Sequence, residues 1–121
     1  MAVEVVVTDE FRAWYDGLDA DTQSDVFAVV TALEDLGVAL RFPYSSDIKG
    51  STVRELRIQS KGRPLRVFYA FDPKRQAVLL IGGDKTGDNR FYETLVPQAE
   101  GLWRQYLTEL EEDERPKSKP Y

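Results

Sequence analysis

The sequence predicts an α+β domain with the element order β-α-α-β-β-β-α, and three observations predict it. Residues 9–36 carry apolar side chains at three- and four-residue spacing, the period of helices that bury one face. Residues 53–81 divide into three short runs rich in β-branched and aromatic residues, separated by turn formers, which is the pattern of an antiparallel meander. A last amphipathic stretch follows Pro97. Helices before and after such a meander give a layered α+β arrangement.

The elements follow in order. Val3, Val5 and Val7 alternate with Ala2, Glu4 and Val6, a short and largely buried strand. Thr8 has the side chain of a helix N-cap, and the short helix after it carries Phe11, Trp14 and Tyr15 on one face. Asp19 or Asp21 caps a second helix, in which Val26, Phe27, Val30, Leu33 and Leu36 share a stripe and Gly37 takes the stop position. The two make a helical hairpin with Asp16, Asp25, Glu34 and Asp35 available for an acidic outer face. Residues 38–52 are rich in turn formers and connect the hairpin to the meander.

The meander strands are expected at 53–59, 65–71 and 76–81, with a loop at 60–64 and the turn Asp72-Pro73-Lys74-Arg75 between them. Residues 78–81 have no polar face, so this strand belongs in the middle of the sheet, covered on both sides. Gly82 and Gly83 begin a polar loop, and Asp88 or Asn89 caps a helical turn holding Phe91 and Tyr92. Pro97 lacks the N–H that a helix interior needs, so it opens the final helix, which turns Leu102, Trp103, Tyr106, Leu107 and Leu110 to the core. Residues 1–110 form the domain, and the charged, proline-containing stretch 111–121 reads as a flexible tail.

Composition narrows the chemistry. Among 121 residues there is no cysteine and no histidine, which removes disulfides, thiol and histidine catalysis and nearly every common zinc site. Magnesium held by carboxylates stays open, but no metal or cofactor is expected. The start of the chain lacks the basic head and cleavage site of a signal peptide, and no apolar run approaches the roughly 20 residues that span a bilayer. A cytoplasmic protein that meets no membrane is expected.

The net charge of −5 hides a segregation. Residues 1–40 carry −8, residues 41–90 carry +6 and residues 91–121 carry −3. Strand alternation sets Arg57 opposite Leu56 and Ile58, and Arg66 opposite Leu65 and Val67. If the apolar faces are core, Arg57 and Arg66 share the other, exposed face, with Lys61 and Arg63 on the hairpin between them. Such a surface either solubilises a sheet or binds a polyanion. The run Gly82-Gly83-Asp84-Lys85-Thr86-Gly87 is not a phosphate loop, because Gly-Lys-Ser/Thr does not close it, yet it brings Lys85, Arg90 and Tyr92 to the end of the central strand. Without histidine, RNA cleavage would need arginines on the phosphate and a tyrosine, lysine or carboxylate for protons. Neighbouring cations are expected to lower the Tyr92 pKa. Arg66, Arg57, Tyr92 and Lys85 are the catalytic candidates, and Lys61, Arg63, Arg90 and Arg54 the candidate RNA contacts.

Residues 55–72 (ELRIQSKGRPLRVFYAFD) and 80–92 (LIGGDKTGDNRFY) resemble RelE/HigB toxins of type II toxin–antitoxin modules, and more narrowly the branch related to phage Gp49-like proteins. The resemblance implies a RelE/ParE-like fold and metal-independent cleavage of mRNA on the ribosome by attack of the 2′-hydroxyl. It also implies a helix-turn-helix, HigA-like antitoxin, with operator DNA met only through that partner. The family's strand arginine falls on Arg66 and its late tyrosine on Tyr92, its strand and loop cations on Arg57, Lys61 and Arg63, and its last basic residue on Lys85 or Arg90. The chain departs from the family in its acidic balance and its lack of histidine. A ParE-like gyrase inhibitor and a non-catalytic co-repressor of the same fold are the alternatives.

Overall fold

The computed structural model describes residues 2–114. The chain forms β1 (Val5–Val7), α1 (Asp9–Asp16), α2 (Ala20–Leu36), a 3-10 turn (Gly37–Ala39), β2 (Ser45–Asp47), β3 (Arg54–Ser60), β4 (Arg63–Phe71), β5 (Ala77–Asp84) and α3 (Phe91–Glu114). One five-stranded sheet runs in the order β1-β5-β4-β3-β2. β1 lies parallel to β5, and the other pairs are antiparallel.

The helix signals act as their chemistry requires. Thr8 Oγ1 accepts the Phe11 N–H at 3.0 Å, and Asp19 Oδ1 accepts the Thr22 N–H at 2.8 Å, so both N-caps satisfy backbone donors that a helix start leaves free. Gly37, at φ 56°, ends α2. The Asp72 carbonyl accepts the Arg75 N–H at 2.8 Å and closes the turn between β4 and β5.

Alternation puts two apolar faces on the sheet, and helices cover both. Leu56, Ile58, Leu65, Val67, Tyr69 and Leu79 pack against Phe11, Val26 and Leu33 of the helical hairpin. Val53, Phe68, Val78 and Leu80 pack against Phe91 and Ala99 of α3. The face expected to be open beside Arg66 is therefore roofed by α3, and Arg66 is only 4 % exposed. The cause is Phe68, which shares that face and needs apolar cover.

Other details differ from the sequence reading. The expected 60–64 loop tightens to Lys61-Gly62, both at positive φ (52° and 77°), so β3 and β4 pair up to Ser60 and Arg63. Positive φ at both central residues matches the strand twist of a two-residue hairpin. β5 continues through Gly82 and Gly83 rather than stopping before them. β2 is an extra edge strand inside the expected connection. α3 begins at Phe91 and runs unbroken through Pro97. The carbonyl that Pro97 leaves without its helical donor belongs to Glu93, and both residues are exposed, so water can serve it. Phe27 and Leu36 lie outside the core, at 62 % and 46 % exposure. The expected boundary at residue 110 falls within α3, and residues 115–121 lie outside the described residues.

Candidate active site

β3 and β4 pair with Arg57 opposite Arg66, and β4 and β5 with Arg66 opposite Gly83. Two residues before Arg57 on the same face stands Glu55, only 5 % exposed. The first turn of α3 lays Tyr92 over this end of the sheet, its ring edge-on to Phe68 at 6.2 Å and to Phe91 at 5.3 Å.

The polar groups converge on the Glu55 carboxylate. Oε1 accepts the Tyr92 hydroxyl at 2.7 Å and lies 3.2 Å from Arg66 Nε. Oε2 accepts the Ser46 hydroxyl at 2.9 Å and lies 3.6 Å from Arg57 Nη1. Arg66 Nε also donates to the Tyr92 hydroxyl at 3.3 Å, and Arg66 Nη1 donates to the Leu65 carbonyl at 2.9 Å. Lys85 Nζ sits 5.5 Å from the centre of the Tyr92 ring. The Arg57 guanidinium lies over the Phe42 ring at 5.3 Å.

Burial raises the Tyr92 pKa, and the hydrogen bond to Glu55 raises it further, against the opposing influence of Arg66. The expected lowering by nearby cations is thus reversed. It counted the cations and missed the buried carboxylate among them. A neutral phenol donates a proton; it does not wait as a phenolate.

The sequence candidates divide into two sets. Arg57, Arg66, Tyr92 and Lys85 come together. Arg54 points to the opposite sheet face, where it pairs with Asp47 and donates to Ser45 and Tyr69. Lys61 pairs with Asp19 and Asp21 at the start of α2. Arg63 donates to Thr22 at 2.8 Å and pairs with Asp84 at 3.6 Å. Arg90 pairs with Glu93 on the surface of α3. Glu55 was not singled out from the sequence, although strand alternation put it on the face of Arg57. Among the described residues no group of three or more carboxylates could hold a metal ion, and no helix is long and apolar enough to cross a membrane.

A five-stranded sheet held between a helical hairpin and a C-terminal helix, with arginines, a tyrosine and a glutamate at one end, defines a RelE-like architecture. The E. coli RelE toxin, solved as a mutant in the free state, superposes with a TM-score of 0.58 at 9 % identity, over 80 % of this chain and 98 % of that one. The intact E. coli RelBE toxin–antitoxin complex contains a chain matched at a TM-score of 0.53 and 10 % identity, over 68 % of this chain and 95 % of that one. Residues 13–104 match the model of the phage-derived Gp49-like family. Putative toxin HigB2 of Mycobacterium tuberculosis is 37 % identical over 114 residues, 90 % of this chain. Putative toxin HigB3 of the same organism is 33 % identical over 98 residues, 79 % of this chain and 86 % of the relative. This chain spans 56 % of the length of HigB2. The chain belongs to the phage-derived Gp49-like family of RelE/HigB-type toxins.

Proposed function

We propose that this chain is the toxin of a type II toxin–antitoxin module and an endoribonuclease that cleaves mRNA on the translating ribosome. The observation that carries this reading is the convergence of Arg57, Arg66 and Tyr92 on one carboxylate. Two guanidiniums with a half-buried phenol form a site for a scissile phosphate, and an electrostatic cradle of this kind can supply the largest catalytic term.

In the proposed reaction Arg57 and Arg66 bind the non-bridging phosphate oxygens, and Lys85 adds charge beside Tyr92. Glu55 takes the proton of the ribose 2′-hydroxyl as O2′ bonds to phosphorus. Tyr92, kept neutral by burial and by Glu55, gives its proton to the 5′-oxygen as the P–O5′ bond breaks. The 2.7 Å hydrogen bond between Glu55 and Tyr92 then returns the proton to the phenol. The products are a 2′,3′-cyclic phosphate and a 5′-hydroxyl. The likeness to the RelBE complex supports an antitoxin as the protein partner, and we extend this to a helix-turn-helix, HigA-like antitoxin through which alone operator DNA is met.

The test is transcript end-mapping after induced expression, together with cleavage by the purified chain in a translating extract. The wild type yields 5′-hydroxyl ends and arrests growth. Tyr92→Phe preserves the ring packing and slows cleavage by about 10²–10⁴-fold, the usual span for losing a proton-transfer group. Full cleavage by both Tyr92→Phe and Arg66→Ala would overturn the assignment. Intact transcripts with defective supercoiling would favour gyrase inhibition instead.

A further inference from the structure

The turn before β2 presents aromatic side chains to solvent. Phe42 is 71 % exposed and Tyr44 53 % exposed, although each carries a large apolar ring. Neither belongs to a core cluster. Single exposed apolar residues are ordinary, and it is the grouping of two rings beside the candidate active site that points to an interaction. Their position narrows the partner. The Arg57 guanidinium, which also pairs with Glu55 in the candidate active site, lies over the Phe42 ring at 5.3 Å. Beside them opens a cleft of about 410 Å³, lined by Tyr44, Arg57, Gln59 and Arg66 among others. Tyr44 gives the cleft its aromatic lining, Arg57 and Arg66 its cationic lining and Asp25 an acidic group, Phe42 stands at its edge against Arg57, and the cleft is continuous with the proposed phosphate site through both arginines. A single-stranded nucleic acid has matching chemistry. Its bases are flat π surfaces, its backbone is anionic, and stacking accepts any base. The Gln59 amide, exposed in the same cleft, can donate to and accept from a base edge.

We propose that Phe42 and Tyr44 form a stacking platform for an unpaired base of the RNA, adjacent to the phosphate bound by Arg57 and Arg66. The platform rests on the ribonuclease reading and adds to it a subsite for the nucleotide next to the cleaved bond. It positions the strand and touches none of the bonds that change.

The experiment measures binding of two probes by fluorescence anisotropy. One is a short single-stranded RNA made uncleavable by 2′-O-methyl groups. The other is an abasic-spacer strand of the same length and charge. Wild type binds the RNA more tightly than the abasic strand. Phe42→Ala weakens RNA binding by about 5- to 150-fold, the range that alanine substitution of a stacked aromatic gives, and leaves abasic binding unchanged. Phe42→Trp keeps the RNA affinity. Tyr44→Ala acts in the same direction as Phe42→Ala. If wild type binds both strands equally and Phe42→Ala alters neither, the platform is overturned and the ribonuclease reading stands. If wild type binds neither strand, the platform is overturned, and transcript end-mapping decides the ribonuclease reading separately. If Phe42→Ala weakens both strands equally, the ring acts without a base and the platform is overturned.

Discussion

Glu55 is the residue that allows Arg66 to be buried. A guanidinium with a side chain only 5 % exposed would be expensive without an anion, and the Glu55 carboxylate, itself 7 % exposed, supplies one at 3.2 Å. Arg57 and Tyr92 add to the same carboxylate, so removing it strips a buried cation of its counter-charge. Glu55→Ala should therefore lower stability by about 3–5 kcal/mol in urea denaturation, the cost of breaking a buried pair. Inorganic phosphate should then raise the melting temperature of Glu55→Ala more than that of the wild type at matched ionic strength, because the anion takes the vacated position. Equal responses in the two proteins would show that the cradle does not select an anion. The sequence made Arg57, Arg66 and Tyr92 visible, through alternation and through the family pattern. It did not mark Glu55, because alternation tells which residues share a face and not which charges are buried together. The Tyr92 pKa was misread for the same reason: its sign depends on burial and on a neighbour 37 positions away.

At the scale of elements, the fit of β5 between two helices depends on having no side chain at two successive positions. A Cβ on Gly82 would overlap the Trp14 ring of α1, and one on Gly83 would meet Leu95 at 2.6 Å and Phe91 at 2.9 Å, both from α3. Successive residues of a strand face opposite ways, so the pair of glycines admits one helix to each face. Gly82→Ala should destabilise by about 1–3 kcal/mol as Trp14 is forced aside. Gly101→Ala should do the reverse. It lies inside α3, a Cβ there meets only the flexible Arg104 side chain at 3.8 Å, and alanine gains about 1 kcal/mol over glycine in a helix. Urea midpoints that move in the same direction for both variants would refute this account. The sequence showed the meander, both N-caps and the apolar centre of β5. It suggested a loop at Gly82-Gly83, because two glycines read alike whether they mark a turn or a close packing contact. β2 was not legible either: Ser45, Ser46 and Asp47 have poor strand propensity, and pairing with β3 alone makes them a strand.

Over the whole molecule, charge is segregated, and ion pairing decides how much of it is free to act. The net charge of −5 argues against RNA, whereas the +6 of residues 41–90 argues for it. Neither count decides the matter, because carboxylates of the helices and of the sheet already engage much of that positive charge. Asp19 and Asp21 at the start of α2 engage Lys61, Thr22 and Asp84 engage Arg63, Asp47 engages Arg54, and Glu93 engages Arg90. Arg57 and Arg66 share the single Glu55 carboxylate, and with Lys85 they face the proposed RNA path. Counterion release makes the logarithm of affinity fall with the logarithm of salt concentration, at a slope of about −0.7 per phosphate neutralised on a single strand. Three cations thus give a slope of about −2, while all seven candidate arginines and lysines would give one near −5. Titrating the uncleavable RNA into the protein between low and moderate potassium chloride reads this slope directly. A value near −2 that falls toward −1 in Lys85→Ala fits a small cradle fed by three side chains. A slope near −5 would mean that the paired cations of the hairpin and of α3 abandon their carboxylates for RNA, and the binding surface would then have to extend across both ends of the sheet.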